Sequence, residues 1–225
     1  MISVLIPAFN EADCISATVQ AAWQLEGVSQ VIVIDDGSSD QTAETAQQAG
    51  ALVKRLEQNQ GKGAALNAGA ALIENEIILL LDADLGATAR KAAPLLPPVQ
   101  KKLADMSIAI FPAIGQKAGF GLVKNLACQA IARWGQGLQV QAPLSGQRAL
   151  TKQVLQAVLP FAEGYGVEVA MTIKAAQAGF KIIEVPTQLS HKATGRDWQG
   201  FKHRGKQYLD VRRTLKKLKK ELNLK

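Results

Sequence analysis

Hydrophobic residues in this chain occur in short runs that alternate with longer stretches of helical spacing. The pattern predicts strands over residues 2–6, 31–34, 51–56, 77–81, 106–111 and 180–185. It predicts helices at about residues 11–26, 41–49, 61–73, 89–103, 120–134, 151–158, 167–178 and 201–222. Strands that alternate with helices indicate right-handed βαβ units. The predicted fold class is therefore α/β, with helices packed against a mostly parallel central sheet.

The strand Ile77–Leu81 is followed directly by two carboxylates. Five consecutive aliphatic residues fit a strand that is buried on both faces, in the middle of a parallel sheet. Asp82 and Asp84 come next, at the edge of the sheet where open α/β folds bind ligands. A pair of acids alone would as readily be a helix cap and a solvated side chain. With the loops upstream of it, the pair predicts a divalent cation, Mg²⁺ or Mn²⁺, that carries phosphate oxygens.

Polar loops follow the three upstream strands as well, over Pro7–Glu11, Asp35–Asp40 and Gly61–Gly63. Asn10 is predicted to cap the helix after the first strand. The four loops together suit a nucleoside diphosphate, since an acid of the second loop can pair with a base. The glycines of the third loop let the backbone approach the ligand, while its lysine adds positive charge. The predicted nucleotide-contacting residues are Pro7, Ala8, Asn10, Glu11, Asp36, Gly61, Lys62, Asp82 and Ala83.

Two other classes of nucleotide-binding protein are disfavoured. A dinucleotide dehydrogenase would carry G-x-G-x-x-G after the first strand, and this chain has none there. Gly61–Gly63 is not a P-loop either, because Ala64 stands where a P-loop needs Ser or Thr.

Four motifs occur in order in the first half of the chain: Ile6–Glu11, Ile34–Thr42, Gly61–Gly69 and Leu81–Asp84. In this order they resemble the family 2 glycosyltransferases, whose fold is the three-layer α/β/α sandwich called GT-A. Two later segments, Pro143–Ala149 and Gly164–Glu168, are similar to segments of glucosyl-3-phosphoglycerate synthases and polyprenyl-phosphate sugar transferases.

The resemblance implies roles for four residues of this chain. Asp36 would bind the nucleobase, and Asp82 would lie near the ribose and the metal. Asp84 would ligate the metal, and His191, which follows the last predicted strand, would complete the metal shell.

Asp84 and Glu168 are the predicted catalytic residues. Glu168 is at the start of a predicted helix, where an acid is favourable for dipole reasons alone. Its functional role would be to position the sugar or the acceptor. Glu163 is the competing candidate for that role. An inverting enzyme needs a carboxylate that takes the acceptor's proton, whereas a retaining enzyme does not, and the sequence leaves the two open. The sequence also leaves open whether Arg148 makes a bidentate contact with a diphosphate or a structural salt bridge. Trp23 and Trp134 are predicted to lie in the core.

Charge is unevenly distributed along the chain of 225 residues, whose net charge is +7. From Arg196 onward there are 11 basic and 3 acidic residues, so that this tail carries +8 and the rest of the chain −1. A nucleic-acid-binding body is therefore not indicated. Cys14 and Cys128 match no metal or redox spacing, and we interpret both as buried thiols in a reducing cytoplasm. We expect neither a signal peptide nor a membrane span.

The tail predicts a basic amphipathic helix over residues 201–225, appended to a GT-A domain over residues 1–200. Val211, Leu215, Leu218 and Leu222 recur at helical spacing among arginines and lysines. Such a helix either lies on the inner, anionic face of a membrane or packs on the domain with a solvated basic face. His203, within this basic run, is either solvated or in contact with a phosphate on the acceptor.

The function that we predict is transfer of a sugar from UDP- or GDP-hexose to a hydroxyl or phosphate acceptor, with the divalent cation on the diphosphate. The acceptor stays open, lipid-linked and phosphorylated acceptors included, as does the oligomeric state. A catalytically silent nucleotide-sugar-binding or membrane-docking protein is one alternative. A nucleotidyltransferase is another, although its Gly-rich basic loop is not found after the first strand.

Overall fold

The computed structural model describes residues 1–112, 121–190 and 198–224, of which residues 198–207 are described by their backbone alone. Within these residues, one sheet contains seven strands: β1 (Ile2–Ala8), β2 (Val28–Asp35), β3 (Leu52–Arg55), β4 (Ile77–Leu80), β5 (Met106–Ile110), β6 (Arg148–Thr151) and β7 (Ile182–Pro186). The α-helices of the described residues are α1 (Ala12–Trp23), α2 (Thr42–Gln48), α3 (Lys62–Ala70), α4 (Leu96–Gln100), α5 (Gly121–Trp134), α6 (Lys152–Val158), α7 (Val167–Gln177) and α8 (Trp198–Glu221).

The strand order in the sheet is β3-β2-β1-β4-β6-β5-β7. Every neighbouring pair is parallel except the two that involve β6, which runs antiparallel to β4 and β5. The strands predicted from the sequence do not include residues 148–151, so β6 was missed. Leu80 pairs with Arg148, so the start of β6 lies beside the carboxyl end of β4. This reversal brings Gln147 to the edge of the sheet where Asp82 lies.

Alternate residues of the strands supply two hydrophobic cores, one on each face of the sheet. Val4 and Ile6 of β1 belong to one core, whereas Leu5 belongs to the other, as the two-residue period of a strand requires. Helix α1 and the segment after β4 cover the first core, while α3, α6 and α7 contribute to the second. Because both faces are covered by helices, the three-layer α/β/α architecture predicted from the sequence is observed.

The C-terminal helix packs on the domain through its apolar stripe. Val211, Leu215 and Leu218 are buried in a third cluster, together with residues of α5 and α7. Gly166 approaches α8 so closely that a Cβ there would lie 2.2 Å from Thr214 Oγ1. Of the two alternatives for this stripe, the structure therefore supports packing on the domain. No helix among the described residues is both long and apolar enough to cross a membrane.

Some local predictions differ from the structure. Asn10 does not cap α1, because its φ is 55° and its side chain accepts a hydrogen bond from Ser39 instead. Trp23 is 38% exposed and is not a core residue, and neither cysteine is fully buried. The predicted helix at 89–103 is replaced by 3₁₀ turns over Ala83–Leu95, interrupted at Gly86, and by the short α4. The prolines at 94, 97 and 98 lack the N–H groups that a longer helix would use.

The side chain of Asn67 links helix α3 by hydrogen bonds to the segment that precedes α7. Asn67 Oδ1 accepts a hydrogen bond from Phe161 N at 2.8 Å, and its Nδ2 donates to Phe161 O at 3.1 Å. One turn earlier, Gly63 lies so near that a Cβ would be 2.0 Å from Ala162 O. The first residue of α3 is Lys62, and α7 carries Glu168 in its first turn. The contact at Asn67 therefore helps to hold α3, which carries Lys62, beside the segment that leads to Glu168.

Replacing Asn67 with alanine should leave the backbone N–H and C=O of Phe161 without their partners. We expect the free energy of unfolding to fall by about 2–6 kcal/mol, since two partners are lost at about 1–3 kcal/mol each. Urea denaturation of the variant and of an Asn125→Ala control, which changes an exposed helical asparagine, measures the difference. Equal stabilities for Asn67→Ala and the wild type would contradict the assignment.

Candidate active site

A cleft of about 770 Å³ lies at the carboxyl ends of β1 to β4. All four polar loops predicted from the sequence reach it. Among the predicted site residues, the cleft is lined by Pro7, Ala8, Glu11, Asp36, Gly61, Lys62, Asp82, Ala83, Asp84 and Glu168. Asn10 is not one of the lining residues, and His191 lies outside the described residues.

Lys62 joins two carboxylates that come from distant parts of the chain. Its Nζ lies 2.7 Å from Asp82 Oδ1 and 2.7 Å from Glu168 Oε1. The Glu168 side chain is only 9% exposed, whereas that of Lys62 is 31% exposed to the cleft. Glu168 is thus held by a hydrogen-bonded cation rather than standing at a helix start for dipole reasons alone.

The charge state of Lys62 follows from these contacts. Burial alone would lower the pKa of the Lys62 ammonium, but the attraction of Asp82 and then of Glu168 outweighs it and raises the pKa above its usual value. The lysine therefore stays protonated at neutral pH. Gly146 makes room for the pair, because a Cβ there would lie 2.5 Å from Lys62 Nζ and 2.9 Å from each carboxylate oxygen of Asp82.

Asp82 and Asp84 line the same cleft with oxygen ligands. The carboxylate oxygens of Asp82 accept hydrogen bonds from Lys62 and from Gln147 Nε2. Carboxylate oxygens are the hard ligands that divalent cations such as Mg²⁺ take in proteins. No group of three or more His, Cys, Asp or Glu side chains suited to a metal occurs in the part of the chain that the structure describes. Two carboxylates nevertheless fit Mg²⁺, which is commonly held by one or two acids together with substrate phosphates.

Asp36 ties three of the loops together. Its backbone N–H donates to Ala8 O, and its carboxylate oxygens accept from the backbone N–H groups of Gln60 and Gly61 at 2.8 and 2.7 Å. Gly61 has φ 90°, a conformation that favours glycine. Since Asp36 is nearly fully buried and still lines the cleft, its position is fixed before any ligand arrives.

Arg148 does not line the cleft. It is fully buried, with Nε donating to Ser145 O and Nη1 to Thr172 Oγ1. Burial lowers the pKa of the Arg148 guanidinium to about 10, against the attraction of Glu168 and Glu184. Neither a contact with a diphosphate nor a structural salt bridge, the two interpretations drawn from the sequence, fits Arg148, because its hydrogen bonds are made to a carbonyl and a hydroxyl.

The far wall of the cleft contains residues that the sequence did not assign. They are Val123, Leu144, Gly164, Tyr165, Asp210 and Val211. Asp210 belongs to α8, which the sequence predicted only as an appended helix. It is the single acid between residues 198 and 220, in an otherwise basic stretch. That isolation is a signal which could have marked it.

Comparisons with known proteins identify the family to which this chain is related. The profile of the family described as Glycosyl transferase family 2 matches residues 3–161. Glycosyltransferase AglJ of Haloferax volcanii is 30% identical over 208 residues, which cover 87% of this chain and 65% of that protein. Glucosyl-3-phosphoglycerate synthase of Mycobacterium tuberculosis is 32% identical over 199 residues, which cover 76% of this chain and 60% of that protein. This chain thus spans 60–65% of the length of these two relatives.

Solved structures confirm the predicted GT-A fold. The crystal structure of the M. tuberculosis glucosyl-3-phosphoglycerate synthase with Mn²⁺, UDP and phosphoglyceric acid matches with a TM-score of 0.78 at 27% identity, covering 97% of this chain and 78% of that chain. A structure of that enzyme with Mg²⁺ and UDP also matches with a TM-score of 0.78, at 26% identity, covering 97% of this chain and 79% of that one. The profile match extends over more than half of the chain, and its first half carries the four loops of the cleft. This chain therefore belongs to glycosyl transferase family 2.

Proposed function

We propose that this protein transfers a sugar from a nucleotide-sugar to a hydroxyl or phosphate acceptor, with a divalent cation on the diphosphate. The observation that carries the proposal is the meeting of Asp82, Asp84, Lys62 and Glu168 in one cleft at the carboxyl ends of parallel strands. Membership of the glycosyltransferase family favours this reaction over nucleotidyl transfer.

The nucleoside diphosphate would lie across the four loops. UDP is the first donor nucleotide to test, because the related M. tuberculosis enzyme was crystallised with UDP and with Mn²⁺ or Mg²⁺. Asp36 would contact the base, Asp82 and Asp84 would hold the cation, and His191 is the further predicted ligand. When bound, the cation supplies positive charge that neutralises the leaving diphosphate.

Glu168 would orient the sugar or the acceptor hydroxyl. Its carboxylate is fixed by Lys62 at the wall of the cleft. An immobile carboxylate can accept a hydrogen bond from a hydroxyl without reorganising during the reaction. In an inverting reaction it could also take the proton of the acceptor, and in a retaining reaction the hydrogen bond would suffice.

We further propose that the outward face of α8 contacts an anionic membrane, where a lipid-linked acceptor would be found. The apolar stripe of α8 is packed on the domain, so attraction must come from charge. Arg212, Lys216, Lys219 and Lys220 are exposed and share one face of the helix by their spacing. Each contributes about 1 kcal/mol near an anionic bilayer, which suffices for reversible attachment.

Replacing Asp84 with alanine should abolish metal-dependent binding of UDP, because one of two carboxylates available for the cation is lost. Calorimetric titration with UDP, with and without MgCl₂ or MnCl₂, measures the effect. Glu74→Gln, which changes an exposed acid outside the cleft, should bind like the wild type. If Asp84→Ala binds UDP with wild-type affinity in the presence of metal, the proposed metal site is wrong. If the wild type binds a panel of UDP-sugars but neither hydrolyses nor transfers them, a catalytically silent binding protein is favoured.

Neutralising the outward face of α8 should release the protein from acidic vesicles. The variant replaces Arg212, Lys216, Lys219 and Lys220 with glutamine in the full chain, since truncating α8 would uncover its buried stripe. Co-sedimentation with phosphatidylserine vesicles at low salt should fall to background, and wild-type binding should weaken as salt rises. The matched control replaces four exposed lysines elsewhere with glutamine: Lys54, Lys91, Lys101 and Lys102. Equal losses in both variants would show only a net-charge effect and contradict a specific face.

A further inference from the structure

A second cleft, of about 300 Å³, opens beside the main one. We call it the side cleft. It lies between α7, α8 and the segment 160–164, and its polar lining consists of Glu163, Lys174, Asp210, Arg213, Thr214, Lys217 and Glu221. Gly164 and Asp210 line both clefts, so the two spaces adjoin at these residues. A ligand that extends from the main cleft past Gly164 and Asp210 would enter the side cleft.

The side cleft is built from the part of the chain that the family profile does not match. The profile ends at residue 161, and apart from Pro160 and Phe161 all lining residues of the side cleft come after it. The donor loops, in contrast, all lie within the matched part. This division separates the donor loops from a wall that the family profile does not cover.

The charges of the side cleft balance. Lys174 Nζ lies 2.9 Å from Glu221 Oε1, Lys217 Nζ lies 3.0 Å from Glu163 Oε2, and Arg213 Nη1 lies 3.6 Å from Asp210 Oδ1. Every basic residue of the lining is thus paired with an acid of the same lining. An anionic ligand would gain three cations only by coming close to three carboxylates, and its net electrostatic gain would be small.

Hydrogen-bonding groups of both kinds remain in the side cleft. Lys174 is only 8% exposed, and its ammonium uses one N–H on Pro160 O, at 3.1 Å, and another on Glu221. Its third N–H is left for a ligand, as an ammonium has three. The carboxylates of Glu163 and Glu221 are 79% and 51% exposed and have lone pairs to spare. Ala170 and Leu218 add apolar surface between these groups.

We propose that the side cleft binds an uncharged polyhydroxylated part of the acceptor, a sugar or polyol unit beyond the reacting hydroxyl. Hydroxyl groups donate to carboxylates and accept from ammonium groups at once, so they match an ion-paired lining without altering its charge balance. Asp210, where the clefts meet, is placed to accept a hydrogen bond from the acceptor on its way to the main cleft. The inference rests on the proposed function and specifies its acceptor.

The test measures binding without turnover, so that its result does not depend on the donor. Maltose and 3-phosphoglycerate serve as probes for the full chain, titrated in saturation-transfer NMR with UDP and MgCl₂ present. The variant Glu163→Ala with Lys217→Ala removes one exposed ion pair of the side cleft. Its matched control, Glu74→Ala with Lys101→Ala, removes an exposed acid and an exposed base that line neither cleft.

We expect maltose to bind the wild type and the control alike, and its dissociation constant to rise about tenfold in the side-cleft variant. UDP affinity should be equal in all three proteins, which shows that the donor site is intact. The inference is overturned if maltose does not bind the wild type, or if it binds the side-cleft variant equally well. Binding of 3-phosphoglycerate alone, lost in that variant, would overturn it in favour of an anionic acceptor. If the wild type does not bind UDP, the proposed function itself is wrong.

Discussion

The site depends on one cation between two acids. Asp82 follows the central strand β4, and Glu168 belongs to the first turn of α7, 86 residues later in the sequence. Lys62, at the start of α3, is hydrogen-bonded to both at 2.7 Å. Removing one partner of a fully buried ion pair costs about 3–5 kcal/mol, and somewhat less where solvent reaches the group, as it does at Asp82. Because one ammonium satisfies two carboxylates, the three elements are held in one arrangement, and the rest of the cleft is built around it.

Small residues and one amide allow this arrangement to form. The ion pairs require α3 to approach the segment before α7, and Gly63 permits that approach against Ala162 O. Asn67 then fixes the register of the segment through both hydrogen bonds to Phe161. On the other side, Gly146 leaves room for the lysine beside β6. The charged residues of the site are thus positioned by packing that contains almost no charge.

The sequence revealed the donor half of this site better than the other half, for a physical reason. Each donor loop directly follows an aliphatic run, and parallel strands necessarily bring such loops to one edge of the sheet. Strand β6 escaped prediction because it has only four residues and begins with a charged one, Arg148, whose burial depends on distant partners such as Thr172. Asp210 escaped because its isolation among basic residues marks it as unusual but does not tell which face of the helix turns toward a cleft. Asn10 was predicted as a cap from its type, whereas its contact with Ser39 is a long-range one.

Helix α8 has one basic surface that lines the side cleft and another that faces outward, and its buried apolar stripe fixes the direction of both. Val211, Leu215 and Leu218 are buried against α5 and α7, so the helix cannot rotate about its axis. Arg213 and Lys217 consequently line the side cleft, while Arg212 and Lys216, about 100° away around the helix, face outward. A lipid surface held by the outward face would therefore lie next to the side cleft rather than across the domain from it. An acceptor anchored in such a surface would then approach the main cleft along the side cleft, past Asp210, which lines both.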